Sequence, residues 1–162
     1  MAVPAIFQAI QKSPLGETIS GSTWMFPTIE TVHVFALAAV VGSIVMVDLR
    51  LLGVQSKDRP VSVLSHELLP WTWGAFVLAL VSGSLLFASR AADYMALPAF
   101  WFKFVFMGLA GANMVIFHLV TQRTMASWDS GRPVMAARVA GALSLVFWGA
   151  VVVCARKVGF SL

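Results

Sequence analysis

Three histidines and one lysine in apolar stretches of this 162-residue chain could carry out chemistry. His33, His66 and His118 supply imidazoles, and Lys103 follows Pro98 by five positions. A b-type haem takes one or two imidazoles from facing helices, with apolar walls and basic groups near the membrane surface for its propionates. These residues predict haem as a candidate ligand, and hydrogen bonding to a neighbouring helix is the simpler alternative role for each histidine.

The depth of each histidine along its helix limits which of them could share one iron. About 22 to 25 Å of helix rise separates His33 from His118, so those two cannot be joint ligands. His66 and His118 are the better bis-histidine pair by depth, and His33 would bind iron alone or opposite Lys103. The candidate metal ligands are therefore His33, His66 and His118. Copper is a weaker candidate because the methionines do not cluster with histidine and Cys154 is the single thiol.

Acidic and basic side chains in the same stretches predict ion pairs. At about 100° per residue, Glu30, His33 and Asp48 fall within roughly 80° of one another on one helix face. Arg138 and Arg156 share a face in the last apolar stretch in the same way. This predicts the pairs Asp48–Arg138 and Glu30–Arg156, because an unpaired charge in a membrane is costly. Glu30 and Arg156 would also line a pocket around His33, whereas the apolar residues between Glu30 and Asp48 disfavour a proton relay.

The composition places these residues in a membrane protein. Apolar residues make up 59 % of the chain and charged residues 11 %, against about 25 % charged in a soluble domain. Each span of a bilayer takes about 20 residues, and the apolar runs cover about 28–53, 63–89, 99–122 and 134–158. The prediction is a single all-α domain over 1–162, an integral membrane four-helix antiparallel bundle.

The residues outside the spans predict an interfacial segment and an orientation. Residues 1–26 would include a short interfacial helix with Ile6, Phe7 and Ile10 on one side. We call the membrane face with both termini side A and the other side B. Side B has slightly more basic residues, which predicts that it is cytoplasmic and that the termini are periplasmic. Tryptophans near the span ends predict interfacial belts; they are Trp24, Trp71, Trp73, Trp101 and Trp128.

Charge and cysteine content exclude several classes of protein. The net charge of +4 is spread over scattered residues, with no basic run that would indicate nucleic acid as a partner. One cysteine excludes an internal disulfide, a redox pair of the CxxC type and a zinc site built from several thiolates. The lipid bilayer is the predicted partner, with a redox protein or a second copy of the chain as further candidates.

Several motifs resemble a family already defined by sequence. Glu30-Thr-Val-His33-Val, Leu69-Pro70-Trp71-Thr-Trp73 and Asn113-Met-Val-Ile-Phe-His118 are similar to an uncharacterised bacterial family of small four-helix membrane proteins. Asp48-Leu-Arg50-Leu-Leu-Gly53 and Pro98-Ala-Phe-Trp-Phe-Lys103 extend the resemblance over nearly the whole chain. The resemblance implies a bacterial inner-membrane protein of this fold, without an assigned activity.

A more remote resemblance concerns the histidine of the first span and the Trp101, Lys103 and His118 pattern of the third. These positions are similar to the copper-resistance protein D group and to J-type protoporphyrinogen oxidases. The latter resemblance implies haem or porphyrin binding near His33 and Lys103. The chain departs from that pattern at Glu30 and Asp48, which are acidic residues within the first span.

These observations give three functional hypotheses. The first is a small redox-associated membrane subunit that binds b-type haem or another tetrapyrrole, or a quinone, at the residues above. The second is a non-catalytic scaffold or assembly subunit held together by the two ion pairs. The third, a small-molecule transporter or channel, is weaker because no inverted repeat or broken helix is visible.

Overall fold

The chain is all-α, and four of its helices are long and apolar enough to cross a membrane. The computed structural model describes residues 3–55, 58–129 and 131–161. Lys57, a basic residue that contributes to the predicted excess on side B, lies outside the described residues. The helices are α1 Ala5–Gln11, α2 Pro14–Gly21, α3 Met25–Leu51, α4 Val61–Ser89, α5 Ala91–Ala96, α6 Pro98–Ile116 and α7 Met135–Ser161. The four-helix membrane bundle predicted from the sequence is confirmed, and its long helices are α3, α4, α6 and α7.

Proline and glycine positions explain where several helices begin and end. Pro98 is the first residue of α6, where its missing N–H costs nothing. α3 ends at Leu51, and Gly53 follows with a φ of 73°, a left-handed conformation that favours glycine. α6 differs from the prediction because its last turns change geometry. A π-helical turn over Phe117–Thr121 and a 3₁₀ turn over Gln122–Ser127 follow it.

The long helices pack in the order α4, α3, α7, α6. α3 packs against both α4 and α7, and α7 packs against α6. α4 and α6 share no extensive interface, although Phe87 of α4 stacks on Phe100 of α6 with ring centroids 5.8 Å apart. We call this side of the bundle, between α4 and α6, the open side. Many large apolar side chains of the long helices are exposed, as expected of surfaces that face lipid.

Short helices cover the side A end of the bundle. Gln11 at the end of α1 accepts a hydrogen bond from the backbone N–H of Ala92 at 2.8 Å and donates to Asp93 at 3.3 Å. α2 packs against α4 so closely that a Cβ at Gly16 would lie 2.7 Å from the carbonyl oxygen of Ala88. The N-terminal segment is therefore attached to the end of α4 and to α5 as well as lying next to the membrane spans.

A small apolar core and a buried arginine hold the side B end together. The core consists of Leu51, Val61, Trp128 and Ala137. Trp128 was expected in an interfacial belt, and that prediction is wrong because the turn before α7 folds its indole into this core, 4 % exposed. The arginine is described with the residues around it below.

Candidate functional site

His33 lies between α3 and α4 in contact with two small residues. Its Nδ1 is 3.0 Å from the Oγ of Ser82. A Cβ added at Gly83 would lie 2.9 Å from the imidazole Cε1, so the ring fits against α4 because that position is glycine. Small residues at positions 82 and 83 therefore give the imidazole its place between the two helices.

The hydrogen bonds of Ser82 determine which imidazole nitrogen carries the proton. The Ser82 hydroxyl donates to the carbonyl oxygen of Leu78 at 2.6 Å, so its oxygen is left to accept from His33. We therefore assign the proton to Nδ1, with the backbone of Ala79 as a further hydrogen-bonding neighbour of the ring, and on this assignment Nε2 keeps its lone pair. A histidine whose Nδ1–H is held by a hydrogen bond has one tautomer and a fixed orientation, two properties that metal-binding histidines share.

Charged groups of α3 and α6 act on this imidazole. Lys103 and Glu30 are both within electrostatic range of His33. The ammonium of Lys103 lies 4.9 Å from the ring centroid of Phe100 and 5.2 Å from that of Phe104, so aromatic faces stabilise it. The structure thus brings His33, Lys103 and Glu30 into one region near side A. Glu30 is exposed, whereas Lys103 is half-buried.

The predicted pair between Glu30 and Arg156 does not form. Arg156 is exposed near the end of α7, and its guanidinium lies 4.1 Å from the ring centroid of Phe160 on the same helix. Arg59 and Glu67, 2.6 Å apart, form an ion pair at the side B end. The physical reason is that both charged groups are exposed. Arg156 contacts the ring of Phe160 on its own helix, and Glu30 lies at the surface of α3, so neither group requires the other as a partner.

The predicted pair between Asp48 and Arg138 is also wrong. Asp48 is 5 % exposed and faces α7 at Gly141 and Ser144, where Ser144 is its hydrogen-bonding neighbour. Ser144 lies six residues beyond Arg138, about 9 Å along the helix. Because α3 and α7 pack closely at Gly141, Asp48 lies beside a part of α7 further from its first residue than the sequence predicted. Within the described residues, Oδ2 of Asp48 has no hydrogen-bond partner.

The other two histidines are exposed, and the structure does not bring them together. His66 lies in the second turn of α4. His118 lies in the π-helical turn with its Nδ1 2.8 Å from the carbonyl oxygen of Met114. Because α4 and α6 share no extensive interface, a bis-histidine site at these residues gains no support. In the part of the chain that the structure describes, no three His, Cys, Asp or Glu residues form a metal-binding group.

A buried arginine joins the side B connections. Arg50 is 1 % exposed. Its Nε donates to the carbonyl oxygen of Arg59 at 2.7 Å, and its Nη2 donates to those of Asp129 at 3.1 Å and Gly131 at 3.3 Å. The carboxylate of Asp129 in turn accepts hydrogen bonds from the backbone N–H and the hydroxyl of Ser62. Only burial reveals this role, because the sequence places Arg50 at a span end, where arginine is common.

Asn113 is a polar residue in the middle of α6. An amide in the middle of a span must find a hydrogen-bond partner. Its Nδ2 donates to the carbonyl oxygen of Ala140 on α7 at 2.9 Å, and this contact links α6 to α7. For Ser82 and Gly83 the available signal was the run of small residues Ser82-Gly83-Ser84 within an apolar span.

Comparison with known proteins gives a family match without an activity. A family model described as a family of unknown function, DUF6644, matches residues 8–161. No curated protein and no solved structure matches the chain. The match agrees with the uncharacterised family that the sequence motifs indicated, and the remote likeness to copper-resistance protein D and to J-type protoporphyrinogen oxidases stays a hypothesis.

Proposed function

The chain belongs to the DUF6644 family of unknown function, so its function has to be inferred from its own residues. We propose that it is a small redox-associated membrane protein that binds a b-type haem through Nε2 of His33. The observation that carries this proposal is the hydrogen bond between His33 and Ser82. It leaves Nε2 with a free lone pair on an imidazole held in one orientation, the form in which histidine binds haem iron.

The residues around His33 support the proposal in distinct ways. Ser82 orients the imidazole, and Gly83 leaves room for it. Lys103 supplies a positive charge near side A that suits a propionate group. Bound haem would supply one-electron redox chemistry. The open side between α4 and α6 is apolar and borders the lipid, which suits the entry of a planar apolar ligand from the bilayer.

The absorption spectrum of the purified protein tests this function. We expect protein expressed in haem-replete cells and purified in detergent to show a Soret band that shifts on reduction. The His33→Ala variant should lose the band, while His66→Ala and His118→Ala, the matched controls, should keep it. Ser82→Ala should retain haem about 10- to 100-fold more weakly, because the hydrogen bond that orients the ligand is lost.

Two outcomes would contradict the proposal. Wild-type protein with no Soret band would exclude haem at any of the three histidines. A band that survives His33→Ala but disappears in His66→Ala or His118→Ala would instead favour the exposed histidines as ligands.

A quinone is the second candidate for the same residues. The free lone pair on Nε2 of His33 and the ammonium of Lys103 provide an acceptor and a donor in one region, which suits a quinol hydroxyl and a quinone carbonyl respectively. Organic extraction of the purified protein distinguishes this ligand. If the purified protein is colourless and its extract contains a quinone that is absent from His33→Ala, quinone replaces haem as the proposed ligand.

Orientation and location complete the proposal. We propose a bacterial inner-membrane protein with side B in the cytoplasm and both termini in the periplasm, in accord with the small excess of basic residues on side B. The scaffold hypothesis loses the contacts on which it rested, because neither of its two ion pairs forms between the described residues.

A further inference from the structure

A cavity at the side B end of the bundle is lined by three arginines. Its volume is about 430 Å³. The arginines are Arg50, Arg132 and Arg138, and Gly53 and Gly131 contribute backbone to the lining. None of the described residues that line it is acidic. The cavity is separate from the His33 region, which lies toward side A.

Arg50 is a rigid part of the cavity lining. A guanidinium has five N–H donors, and three of those of Arg50 are used by the carbonyl oxygens of Arg59, Asp129 and Gly131. The two hydrogens on Nη1 have no acceptor among the residues described. Arg50 therefore offers two donors in a fixed direction, since burial and three hydrogen bonds hold the group in place.

The positive charge of the cavity is only partly balanced by nearby acids. Asp129 acts electrostatically on Arg50, but its carboxylate is bonded to Ser62. Asp48 faces Ser144 of α7 and does not line the cavity. For Arg132 and Arg138, the described ranges contain no hydrogen bond or ion pair of the side chain. An anion with several oxygen atoms would provide the missing acceptors.

Gly53 and Gly131 shape the cavity by the absence of side chains. Gly53 has a φ of 73°, so a residue with a side chain would be strained there. A Cβ at Gly53 would meet only Pro133, at 3.8 Å, and one at Gly131 would meet only the Trp128 carbonyl oxygen, also at 3.8 Å. Both backbones thus leave the space beside the arginines open.

We propose that this cavity binds the phosphate group of an anionic ligand, with the phosphodiester of an anionic phospholipid as its source. Arginine donors match phosphate oxygens in number and geometry. The cavity lies where α3 ends and α7 begins, which is the level of lipid headgroups in a bilayer. Free phosphate has the same chemistry, and the experiment separates the two sources.

The experiment measures binding to the full-length protein in detergent. The probes are phosphatidylglycerol, the zwitterionic lipid phosphatidylcholine and inorganic phosphate, each titrated while the melting temperature and native mass spectra are recorded. The variant is the double substitution Arg132→Gln and Arg138→Gln. The matched control is Arg123→Gln, which removes an exposed arginine of the same side B connection that does not line the cavity.

We expect phosphatidylglycerol to bind and raise the melting temperature of the wild-type protein and of Arg123→Gln, with phosphatidylcholine having no such effect. The double variant should bind phosphatidylglycerol about ten-fold or more weakly, because two charge-assisted donors are lost. Binding of inorganic phosphate alone, lost in the double variant, would support the site and overturn the lipid source. Equal binding by wild type and double variant, or no binding of either anion to folded wild type, would overturn the site itself.

Discussion

Asp48 is a buried acid that has only part of the environment a carboxylate needs. It faces Ser144, while its Oδ2 has no hydrogen-bond partner within the described ranges. Removing a carboxylate from water costs roughly several kcal/mol unless the group is paired and fully hydrogen-bonded. The carboxylate of Asp48 therefore weakens the contact between α3 and α7, although the backbone of Asp48 packs closely against Gly141.

Asp48→Asn is predicted to leave the protein as stable as the wild type or to stabilise it by about 1 kcal/mol, because the charge is removed and the shape is kept. Asp48→Ala, the comparison variant, should destabilise by about 1–3 kcal/mol, since it also removes the contact with Ser144. Thermal unfolding in detergent measures both. Equal destabilisation by the two variants would show that the charge of Asp48 itself is required.

Single residues also show what the sequence could and could not predict. Helix periodicity and distance from Pro98 were enough to put Lys103 at the depth of His33, because both positions depend only on helix rise. The role of Ser82 could not be predicted in the same way. It depends on the rotation of α4 about its axis, which tertiary packing determines and the nearly uniform apolar sequence of α4 does not indicate.

At the scale of elements, two connections on side B depend on each other. The connection from α3 to α4 and the one before α7 are joined through Arg50, Asp129 and Ser62. Partial burial acts to raise the pKa of Asp129. The hydrogen bonds from Ser62 and the backbone N–H of Val61, together with the Arg50 charge, outweigh it and hold the pKa below its ordinary value of 3.8.

This lowered pKa predicts how the side B connections respond to acid. A carboxyl whose pKa is lower in the folded state stabilises the fold above its ordinary pKa, and this contribution is lost as the pH falls through the lower folded value. Asp129→Asn should therefore have a lower melting temperature than the wild type at pH 7, and the gap should narrow below about pH 4. Asp58→Asn, in the exposed connection after α3, is the control. A gap that is constant from pH 7 to pH 3 would contradict the prediction.

The length of α4 explains why the sequence does not determine the depth of His66 in the membrane. Trp71 lies about 15 Å into α4, since each residue adds about 1.5 Å. Trp71 is 79 % exposed, and His66 lies five residues, about 7.5 Å, nearer the side B end. The apolar runs could be predicted from the sequence, but the position of the bilayer along them could not. Helices of 27 and 29 residues are longer than the membrane core requires.

At the scale of the whole molecule, the N-terminal helices connect the beginning of the chain to its middle. Gln11 is hydrogen-bonded to Ala92 and Asp93, which are 81 and 82 residues away in sequence. α2 reaches α4 at Gly16, where only a hydrogen atom fits against the backbone. No periodicity in the sequence could predict these contacts, because they join segments that are distant along the chain.

Gln11→Ala is predicted to destabilise this end of the bundle by about 1 kcal/mol, because the backbone N–H of Ala92 loses its side-chain acceptor. Limited proteolysis should cleave the N-terminal helices faster in this variant. Gln8→Ala, on the exposed surface of the same helix, is the matched control. Similar proteolysis rates for the two variants would mean that Gln11 does not hold the segment.

The same contacts determine the order in which the molecule can be assembled during synthesis. Chains emerge N-terminus first, at about 5–20 residues per second. Residues 5–21 are made before their partners in α4 and α5, which appear only after α3 and α4 have been synthesised. At that rate the first two helices wait for several seconds. The apolar residues Ile6, Phe7 and Ile10 suit α1 to the lipid surface during this interval, and the two helices dock once α4 and α5 are in place.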